Sequence, residues 1–321
     1  MDIVLDFERP LLEIQKRIAQ LRDLERGNGV NLSASIELLE EQVLVLEERI
    51  FCHLTPWQRT MVSRHPARPF TLDYVDRLFT EWLELHGDRA GHDDRALICG
   101  IARFRGRPVV VMGHQKGRNT KQNIERNFAM ARPEGYRKAL RVMKLAEDFG
   151  MPILTFIDTP GAYPGLDAEA RGQAEAIARN ILEMARFTVP IIATIIGEGG
   201  SGGALAVGVA NRVLMLQNSI YSVISPEGCA AILWRDRAQG SKAAEALGVT
   251  AKDCFKHGVI DEIIEEPLGG AHRHPEQTIQ RVGDALDRHL SELVTFERAQ
   301  LRTARYDRFR ALGQFEVSAI S

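Results

Sequence analysis

From about residue 96 onward, apolar runs alternate regularly with segments of helical periodicity, a pattern that few folds can accommodate. The runs 151–157 and 189–196 contain no charged residue, as is typical of strands whose sheet is covered on both faces. The chain is therefore predicted to form an α/β domain with a covered sheet. Strands are predicted at 96–102, 108–113, 151–157, 189–196, 213–217 and 220–223, and helices at 134–149, 169–187, 202–211, 226–235 and within 275–312.

The N-terminal part has a different pattern. Val43, Leu46 and Ile50 recur at helical spacing on one face, and a similar helix precedes them. A helical hairpin is predicted over 8–54, with its break at 27–29, where two glycines flank an asparagine. The pattern leaves two interpretations open: the hairpin packs on its own domain, or it forms a contact with another subunit.

Prolines interrupt residues 55–70, which are interpreted as a linker, and a further helix is predicted over 71–86. We therefore divide the chain into a helical hairpin with its linker, residues 1–70, and a main domain, residues 71–321. The charged C-terminal part, 275–312, is predicted to be helical.

Composition excludes several classes of protein. The formal charge of −2 provides no basic field to attract nucleic acid. None of the four cysteines forms a CxxC pair, so neither a zinc ribbon nor another metal site is expected. The acidic N-terminus does not resemble a signal peptide, and no apolar stretch approaches the roughly 20 residues that span a bilayer. A cytoplasmic protein with reduced cysteines is expected.

The densest chemical signal is 197–203, which has five glycines in seven residues. It follows an apolar strand and opens a predicted helix. Glycines let the backbone approach a ligand closely, and a helix N-terminus supplies unpaired N–H groups. Together these features indicate a pocket for developing negative charge, although a glycine-rich turn required only for packing is the alternative.

Two short motifs overlap this segment. Gly197, Gly199 and Gly202 fit the dinucleotide fingerprint, but no acidic residue for the ribose follows about 20 residues later. The triplet G-x-S-x-G centred on Ser201 fits a hydrolase nucleophile elbow, for which residues such as Asp253 and His257 are available later in the chain. Neither motif is decisive.

A second loop, 156–165, also follows an apolar strand and is rich in proline and glycine. Its D-x-x-G resembles that of GTPases, but no phosphate-binding P-loop precedes it. Because both glycine loops follow buried strands, we expect them to lie at one edge of the sheet and to flank one ligand crevice.

Basic residues cluster between 116 and 144. The cluster fits phosphate groups, such as those of coenzyme A, or simply a solvated helix face. Its members are Lys116, Arg118, Lys121, Arg126, Arg132, Arg137, Lys138, Arg141 and Lys144.

Long ordered blocks of the chain resemble the carboxyltransferase alpha subunits of bacterial acetyl-CoA carboxylase. The resemblance extends from the hairpin to about residue 310. The blocks are Gly113–Arg118, Arg132–Arg141, Phe156–Gly165, Arg171–Gln173, Gly197–Ala206, Tyr221–Trp234 and Pro267–Arg273.

This resemblance implies a crotonase-like (ClpP/crotonase) fold, a superhelix of β-β-α units with two roughly perpendicular sheets. It implies that the carboxyl group of carboxybiotin, carried on a biotin carboxyl carrier protein, is transferred to acetyl-CoA to give malonyl-CoA for fatty acid synthesis. Activity would require a zinc-ribbon beta subunit, in an α2β2 arrangement, and a biotin carboxylase that uses ATP. The metal would lie on the beta subunit.

The resemblance also implies site residues. Gly202 and Gly203 would supply a backbone oxyanion hole on the biotin side, with Ser201 as a loop residue and not a nucleophile. The remaining residues expected to line the substrate cleft are Gly199, Gly200, Ser201, Gly161, Ala162, Tyr163, Lys116, Arg118 and Arg137.

Overall fold

The computed structural model of the chain describes residues 4–28 and 31–313. The strands are β1 (Phe79–Glu84), β2 (Leu97–Phe104), β3 (Arg107–His114), β4 (Ile153–Thr159), β5 (Ile191–Gly200), β6 (Arg212–Leu216), β7 (Ile220–Ser222) and β8 (Glu262–Ile264). They form a sheet in the order β1-β2-β3-β4-β5-β6-β8, with β7 paired to β5. The predicted α/β class is confirmed.

The sheet is antiparallel from β1 to β3 and parallel from β3 through β6 to β8. It branches at β5, where residues 192–195 pair with β6 and residues 198–200 pair with β7. All eight strands are thus connected in one branched sheet, and the perpendicular arrangement of two sheets that the resemblance implied stays a prediction. Residues 198–200, which pair with β7, belong to the glycine-rich segment.

Helices cover both faces of the sheet. Alternate side chains of β4 point to opposite faces, so Ile153 packs with one apolar cluster and Leu154 with the other. The helices are α1 (Arg9–Asn28), α2 (Ser33–Phe51), α3 (Pro56–Ser63), α4 (Thr71–Leu78), α5 (Thr120–Glu125), α6 (Pro133–Phe149), α7 (Leu166–Ala170), α8 (Gln173–Arg186), α9 (Ser201–Leu205), α10 (Pro226–Trp234), α11 (Gly240–Leu247), α12 (Ala251–Lys256), α13 (Pro275–Leu293) and α14 (Arg298–Arg310). Helices α6 and α8 contribute to the first cluster, and α4 and α13 to the second.

Three helices were predicted to be longer than they are in the structure. The helix predicted over 71–86 ends at Leu78, because residues 79–84, which include Phe79 and Trp82, pair as strand β1 with β2. The helix predicted over 169–187 is broken at Gly172, whose φ of 83° is left-handed. The helix predicted over 202–211 stops at Leu205. The residues after it are buried, and an apolar pattern cannot distinguish a buried helix from a buried turn.

Part of the predicted linker is helix α3. Its N-cap Thr55 accepts a hydrogen bond from the Gln58 amide, and the Gln58 side chain accepts one from Thr55. Such a capping box starts a helix even in a proline-rich stretch. Val62 of this helix packs with Leu11 and Phe51 of the hairpin. The domain boundary at residue 70 stays a prediction, as does the hairpin's role.

Helices α1 and α2 form the predicted hairpin, and α13 and α14 form the predicted helical C-terminal region. Gly29, which belongs to the predicted break at 27–29, lies outside the described residues. No helix in the described ranges 4–28 and 31–313 combines the length and the hydropathy needed to cross a membrane.

Candidate functional site

The two glycine loops meet at the carboxyl ends of β4 and β5. Thr159 pairs with Gly199, so the loops leave the sheet side by side. A Cβ atom built on Gly203 would lie 2.6 Å from the amide nitrogen of Ala162 and 2.6 Å from the carbonyl carbon of Gly161. Both contacts are with backbone, which cannot move aside as a flexible side chain can. Only glycine at position 203 therefore permits this approach of the loops.

The other glycines of the segment differ in how much space surrounds them. A Cβ on Gly200 would lie 2.2 Å from the carbonyl oxygen of Pro160, again a backbone clash. A Cβ on Gly202 would meet only Ile177, at 3.7 Å, which is ordinary van der Waals contact. Packing thus requires glycine at positions 200 and 203 but not at 202.

Ser201 begins the short helix α9 with a left-handed φ of 51°, and its side chain is exposed. Gly202 and Gly203 follow in the first turn. Amide groups in the first turn of a helix have no acceptor within that helix. The left-handed Ser201 thus marks the change from strand β5, which ends at Gly200, to helix α9 at the junction of the loops.

A cleft of about 670 Å³ opens beside this junction. Both glycine loops contribute to it, together with the segment after β7. Its lining residues are Arg64, Pro160, Gly161, Ala162, Ile177, Glu198, Ser201, Gly202, Val223, Ile224, Ser225, Glu227 and Arg237.

Arg64 is bound by two carboxylates on the wall of this cleft. Its guanidinium donates to Glu198 at 2.7 Å and to Glu227 at 2.5 Å. Burial alone would lower the pKa of Arg64, but the two carboxylates raise it above its ordinary value. Burial alone would raise the pKa of Glu227, but its hydrogen bonds and the Arg64 charge lower it. Arg64 thus ties the 55–70 segment to the glycine-rich segment and to α10.

Lys116 reaches the same segment from the end of β3. Its Nζ donates to Asp158 Oδ1 at 2.5 Å, and that oxygen also accepts from the Glu198 amide at 2.9 Å. His114 is fully buried nearby, and burial together with the charge of Lys116 lowers its pKa to about 3. The imidazole is therefore neutral, and Lys116 and Asp158 are the charged pair that supports the start of the glycine-rich segment.

On its other side, Ser201 borders a largely apolar cavity of about 330 Å³, which His257 also lines. Ser201 donates no hydrogen bond to a histidine or carboxylate among the described residues. The Asp253 carboxylate accepts from the Thr250 hydroxyl at 2.6 Å and belongs to the cap of α12. A nucleophile needs a base within hydrogen-bond reach that a third group orients. The geometry therefore does not favour the hydrolase interpretation.

Arg118 is not among the residues that line the cleft. Its guanidinium donates to the carbonyl groups of Pro66 and Arg68, both at 2.7 Å, and binds the Asp73 carboxylate. It also lies 4.0 Å above the Phe70 ring. These contacts hold the 66–73 segment against the end of β3, so the structure gives Arg118 a role in local architecture.

Arg137 and Tyr163 also lie outside the lining of the cleft. Arg137 bonds to Asp88 at 3.0 Å and to the carbonyl of Arg171 at 3.0 Å. The ring of Tyr163 packs under the Arg132 guanidinium at 4.8 Å. Several side chains of the basic cluster over 116–144 thus bind carboxylates or carbonyl groups on different segments.

Sequence reasoning missed Arg64, Glu198 and Glu227 as residues of the cleft and Asp158 as the partner of Lys116. Arg64 lies in a segment interpreted as a linker and has no periodic or motif signal. Glu227 follows Ser225, the N-cap of α10, where an acidic residue is expected for helix stability alone. Only Asp158, directly after a buried strand and before a glycine loop, carried a signal that could have been used.

The expectation that this chain holds no metal stays a prediction. Glu8, His65 and His272 form a group of potential metal ligands in the described part of the chain, with ligand atoms within 4.8 Å of one another. In the structure these side chains make hydrogen bonds. His272 Nε2 lies 2.8 Å from Glu8 Oε1, and His65 Nδ1 accepts from the Ala67 amide at 3.2 Å.

The sequence matches a family model described as acetyl co-enzyme A carboxylase carboxyltransferase-like over residues 4–313. It is 56% identical over 317 residues to the acetyl-coenzyme A carboxylase carboxyl transferase subunit alpha of Synechococcus elongatus, covering 99% of this chain and 97% of that protein. The corresponding subunit of Thermus thermophilus is 54% identical over 311 residues, covering 97% of this chain and 98% of that protein.

Solved structures with a similar fold are more distant in sequence. Transcarboxylase 12S superimposes with a TM-score of 0.57 at 19% identity, over 79% of this chain and 44% of that chain. A Pseudomonas malonate decarboxylase hetero-tetramer in complex with coenzyme A superimposes with a TM-score of 0.55 at 18% identity, over 67% of this chain and 87% of that chain. At such identities the likeness concerns the fold alone, and it confirms the expected crotonase-like architecture.

Proposed function

This chain belongs to the acetyl co-enzyme A carboxylase carboxyltransferase-like family, and from that premise we propose that its glycine cleft holds carboxybiotin during carboxyl transfer to acetyl-CoA. The family activity is the biotin-dependent carboxyltransferase step of acetyl-CoA carboxylase, which leads to fatty acid synthesis. The proposal concerns which atoms of this chain perform that step.

Carboxyl transfer develops negative charge on the biotin ureido oxygen. The N–C bond of carboxybiotin breaks, and its electron pair remains on the ureido group. The ureido nitrogen then takes a proton from the acetyl methyl group, and the resulting enolate carbon forms the new bond to the released carbon dioxide. We assign the amides of Gly202 and Gly203 as the donors to the ureido oxygen while it carries this charge.

The observation that carries this proposal is the backbone contact at Gly203. A side chain there would collide with Gly161 and Ala162, so glycine is required for the first turn of α9 to lie against the other loop, and Gly202 of the same turn lines the cleft. We assign Gly161, Ala162 and Ser201 to the lining of this cleft. Gly199, Gly200 and Lys116 are assigned to the segments that support it. Arg118, Arg137 and Tyr163 are left out because their contacts lie elsewhere.

Further partners follow from the resemblance and remain part of the proposal. A beta-type subunit would bind acetyl-CoA, supply the donors for the enolate oxygen and carry a zinc ribbon. The carboxybiotin would arrive on a biotin carboxyl carrier protein after an ATP-dependent biotin carboxylase has loaded it. We place this α2β2 assembly in the cytoplasm.

The decisive experiment measures malonyl-CoA-dependent carboxyl transfer to a soluble biotin derivative, the reverse reaction, by following acetyl-CoA release. It compares this chain alone, the beta-type subunit alone and the two together. Activity confined to the mixture is expected. An inactive mixture that still forms a stable complex would contradict the proposal.

A matched pair of glycine variants tests the assigned amides. We expect Gly203→Ala to lower activity by at least about a hundredfold, the scale of losing an oxyanion donor, because its methyl group would push the loops apart. Gly202→Ala keeps its amide and has room for a methyl group, so most activity should remain. Similar losses in both variants, or full activity in Gly203→Ala, would contradict the assignment.

A further inference from the structure

The block Arg171–Gln173 contributed to the family resemblance, but it lies outside the lining of the cleft. Gly172, with its left-handed φ of 83°, separates α7 from α8. Gln173 is therefore the first residue of α8, and its half-buried side chain reaches the 156–165 loop. The break in the helix thus places one carboxamide group beside the second glycine loop.

The Gln173 carboxamide joins two segments through its amino group. Nε2 donates to the carbonyl groups of Ala131 and Tyr163, both at 2.9 Å. The Tyr163 amide donates to the same Ala131 carbonyl at 3.0 Å. Because both partners of the side chain are carbonyl oxygens, only the amino group of the carboxamide can face them. The three residues form a closed hydrogen-bonded junction.

One side of this junction is anchored in the protein interior. Ala131 is fully buried, and the amide of the next residue, Arg132, donates to Asp94 Oδ2 at 2.7 Å. The other oxygen of Asp94 accepts from the Ala96 amide at 2.9 Å, directly before β2. Ala131 is thus tied to the sheet, and a segment that is bound to it is held in place.

The other side of the junction leads to the contact between the glycine loops. Tyr163 follows Ala162, whose amide nitrogen would lie 2.6 Å from a Cβ atom on Gly203. The Thr159 hydroxyl fixes the near end of the loop, because it accepts from the Gly161 amide at 3.1 Å. Gln173 fixes the far end, at Tyr163. The backbone that lies against Gly203 is therefore held from both sides.

We propose that Gln173 is a positioning residue for carboxyl transfer: through Tyr163 it keeps the 156–165 loop against Gly203 and so maintains the direction of the Gly203 amide. The inference rests on the proposed function, because Gln173 acts through the amide assigned there and does not touch the substrate. An oxyanion donor acts mainly on the charge of the transition state. Its misalignment should therefore lower kcat and leave the KM values of both substrates unchanged.

The test uses the reverse reaction in the mixture of this chain with the beta-type subunit. Gln173→Met has a similar length but no amino group, and it should lower kcat about tenfold, the scale of one or two lost hydrogen bonds. The KM values for the soluble biotin derivative and for malonyl-CoA should not change. Gln173→Glu keeps the shape of the side chain but has no N–H group, so it should lose at least as much activity. Near-full activity in Gln173→Glu would show that the side chain only fills space.

Gln217→Met is the matched control. Gln217 is also half-buried, and its side-chain oxygen accepts from the Glu266 amide at 3.0 Å, but it does not line the cleft. This variant loses a hydrogen bond to the backbone without changing either glycine loop. Its kcat should equal that of the unmodified chain.

A double variant tests whether Gln173 acts through Gly203. Residues that act on the same group are not additive. Adding Gln173→Met to Gly203→Ala should therefore lower kcat by less than about twofold beyond Gly203→Ala alone. A side chain that served only general stability would add its full separate loss.

The possible outcomes separate this inference from the proposed function. An unchanged kcat in a Gln173→Met variant that folds, as judged by circular dichroism, and binds the beta-type subunit would overturn the inference while the proposed function stands. So would a full additional loss in the double variant. If Gln173→Met does not assemble, Gln173→Glu is measured in its place against the same expectation. Inactivity of the unmodified mixture would defeat the proposed function and this inference with it.

Discussion

Arg64 and Arg68 lie four residues apart in one segment, but their ion pairs occupy different environments. The Arg68 side chain is 1% exposed and donates to both carboxylate oxygens of Glu266, at 2.8 and 3.0 Å. The Arg64 side chain is 26% exposed on the wall of the cleft, where Glu198 and Glu227 bind it. The first pair lies in the protein interior, and the second can be reached by a ligand.

The difference shows that one kind of interaction serves two purposes according to its burial. A buried charge that loses its partner is left without solvation, so the Arg68–Glu266 pair can be broken only at a large cost in stability. The Arg64 side chain is partly exposed, so its pairs are screened by water more than the Arg68 pair, although its partner Glu198 is itself buried. Arg64 therefore serves mainly to position the two loop segments that its carboxylate partners belong to.

The largest expected effect is on the buried pair. Arg68→Ala leaves Glu266 buried without its cation, and it should lower the free energy of unfolding by about 3–5 kcal/mol. Urea denaturation of the full chain measures this change. Arg77→Ala is the control, because Arg77 forms an exposed pair with Glu276 and its loss should have little effect. A similar change in the two variants would remove the distinction between buried and exposed pairs.

Lowering the pH should also reveal how much the Arg68–Glu266 pair contributes to the free energy of unfolding. Burial alone would raise the pKa of Glu266, but the Arg68 charge and the hydrogen bonds of Glu266 lower it to about 2. Because the folded-state pKa lies below the unfolded one, the pair stabilises the protein fully above about pH 4.5. That contribution, about 3 kcal/mol, is lost as the pH falls from about 4.5 towards 2.

Unfolding free energies measured across this pH range test the prediction. Glu266→Gln should flatten the acid-side slope, whereas Glu276→Gln, which changes an exposed carboxylate, should not. A slope that is unchanged in Glu266→Gln would show that other carboxylates control the acid response.

The partly exposed pair should affect activity as well as stability. We expect Arg64→Ala to reduce kcat of the assembled enzyme about tenfold, an activation cost of about 1.4 kcal/mol, because Glu198 and Glu227 lose the group that aligns their segments. The unfolding free energy should also fall, by about 1–3 kcal/mol, because the buried Glu198 carboxylate loses its partner. Arg64→Lys keeps the charge but cannot bind both carboxylates with a planar fork, so it should recover only part of the activity. Unaltered kinetics in Arg64→Ala would exclude the positioning role.

The smallest effect is expected at Ser201, which carries no ion pair. Ser201→Ala keeps the backbone amides that follow it, so activity should fall by less than about tenfold. The same reverse-reaction assay measures it. Loss of all activity in this variant alone would revive a nucleophilic role for the hydroxyl group.

Local sequence carried much of the information on the fold and the glycine loops. The uncharged runs over 151–157 and 189–196 correspond to the covered strands β4 and β5, because a strand buried on both faces must be apolar throughout. The spacing of Val43, Leu46 and Ile50 likewise predicted helix α2. Such patterns depend only on neighbours in the chain, so they can be read without a structure.

The polar parts of the site could not be read in this way. Arg64 meets Glu198 across 134 residues and Glu227 across 163, and no periodicity connects positions so far apart. Arg118 and Arg137 belong to the same basic cluster as Lys116, but their ion-pair partners lie on other segments, away from the cleft. A charged side chain can satisfy its hydrogen bonds in many directions, so its partner is decided only when the chain folds.

The sequence by itself determined the α/β class, the two glycine loops and the family, because these follow from local patterns and from long matching blocks. The tertiary structure decided which glycines are required by close backbone contact and which cations reach the cleft. The physical reason is that apolar burial follows from periodicity along the chain, whereas backbone contacts and ion pairs depend on distances between segments remote in sequence.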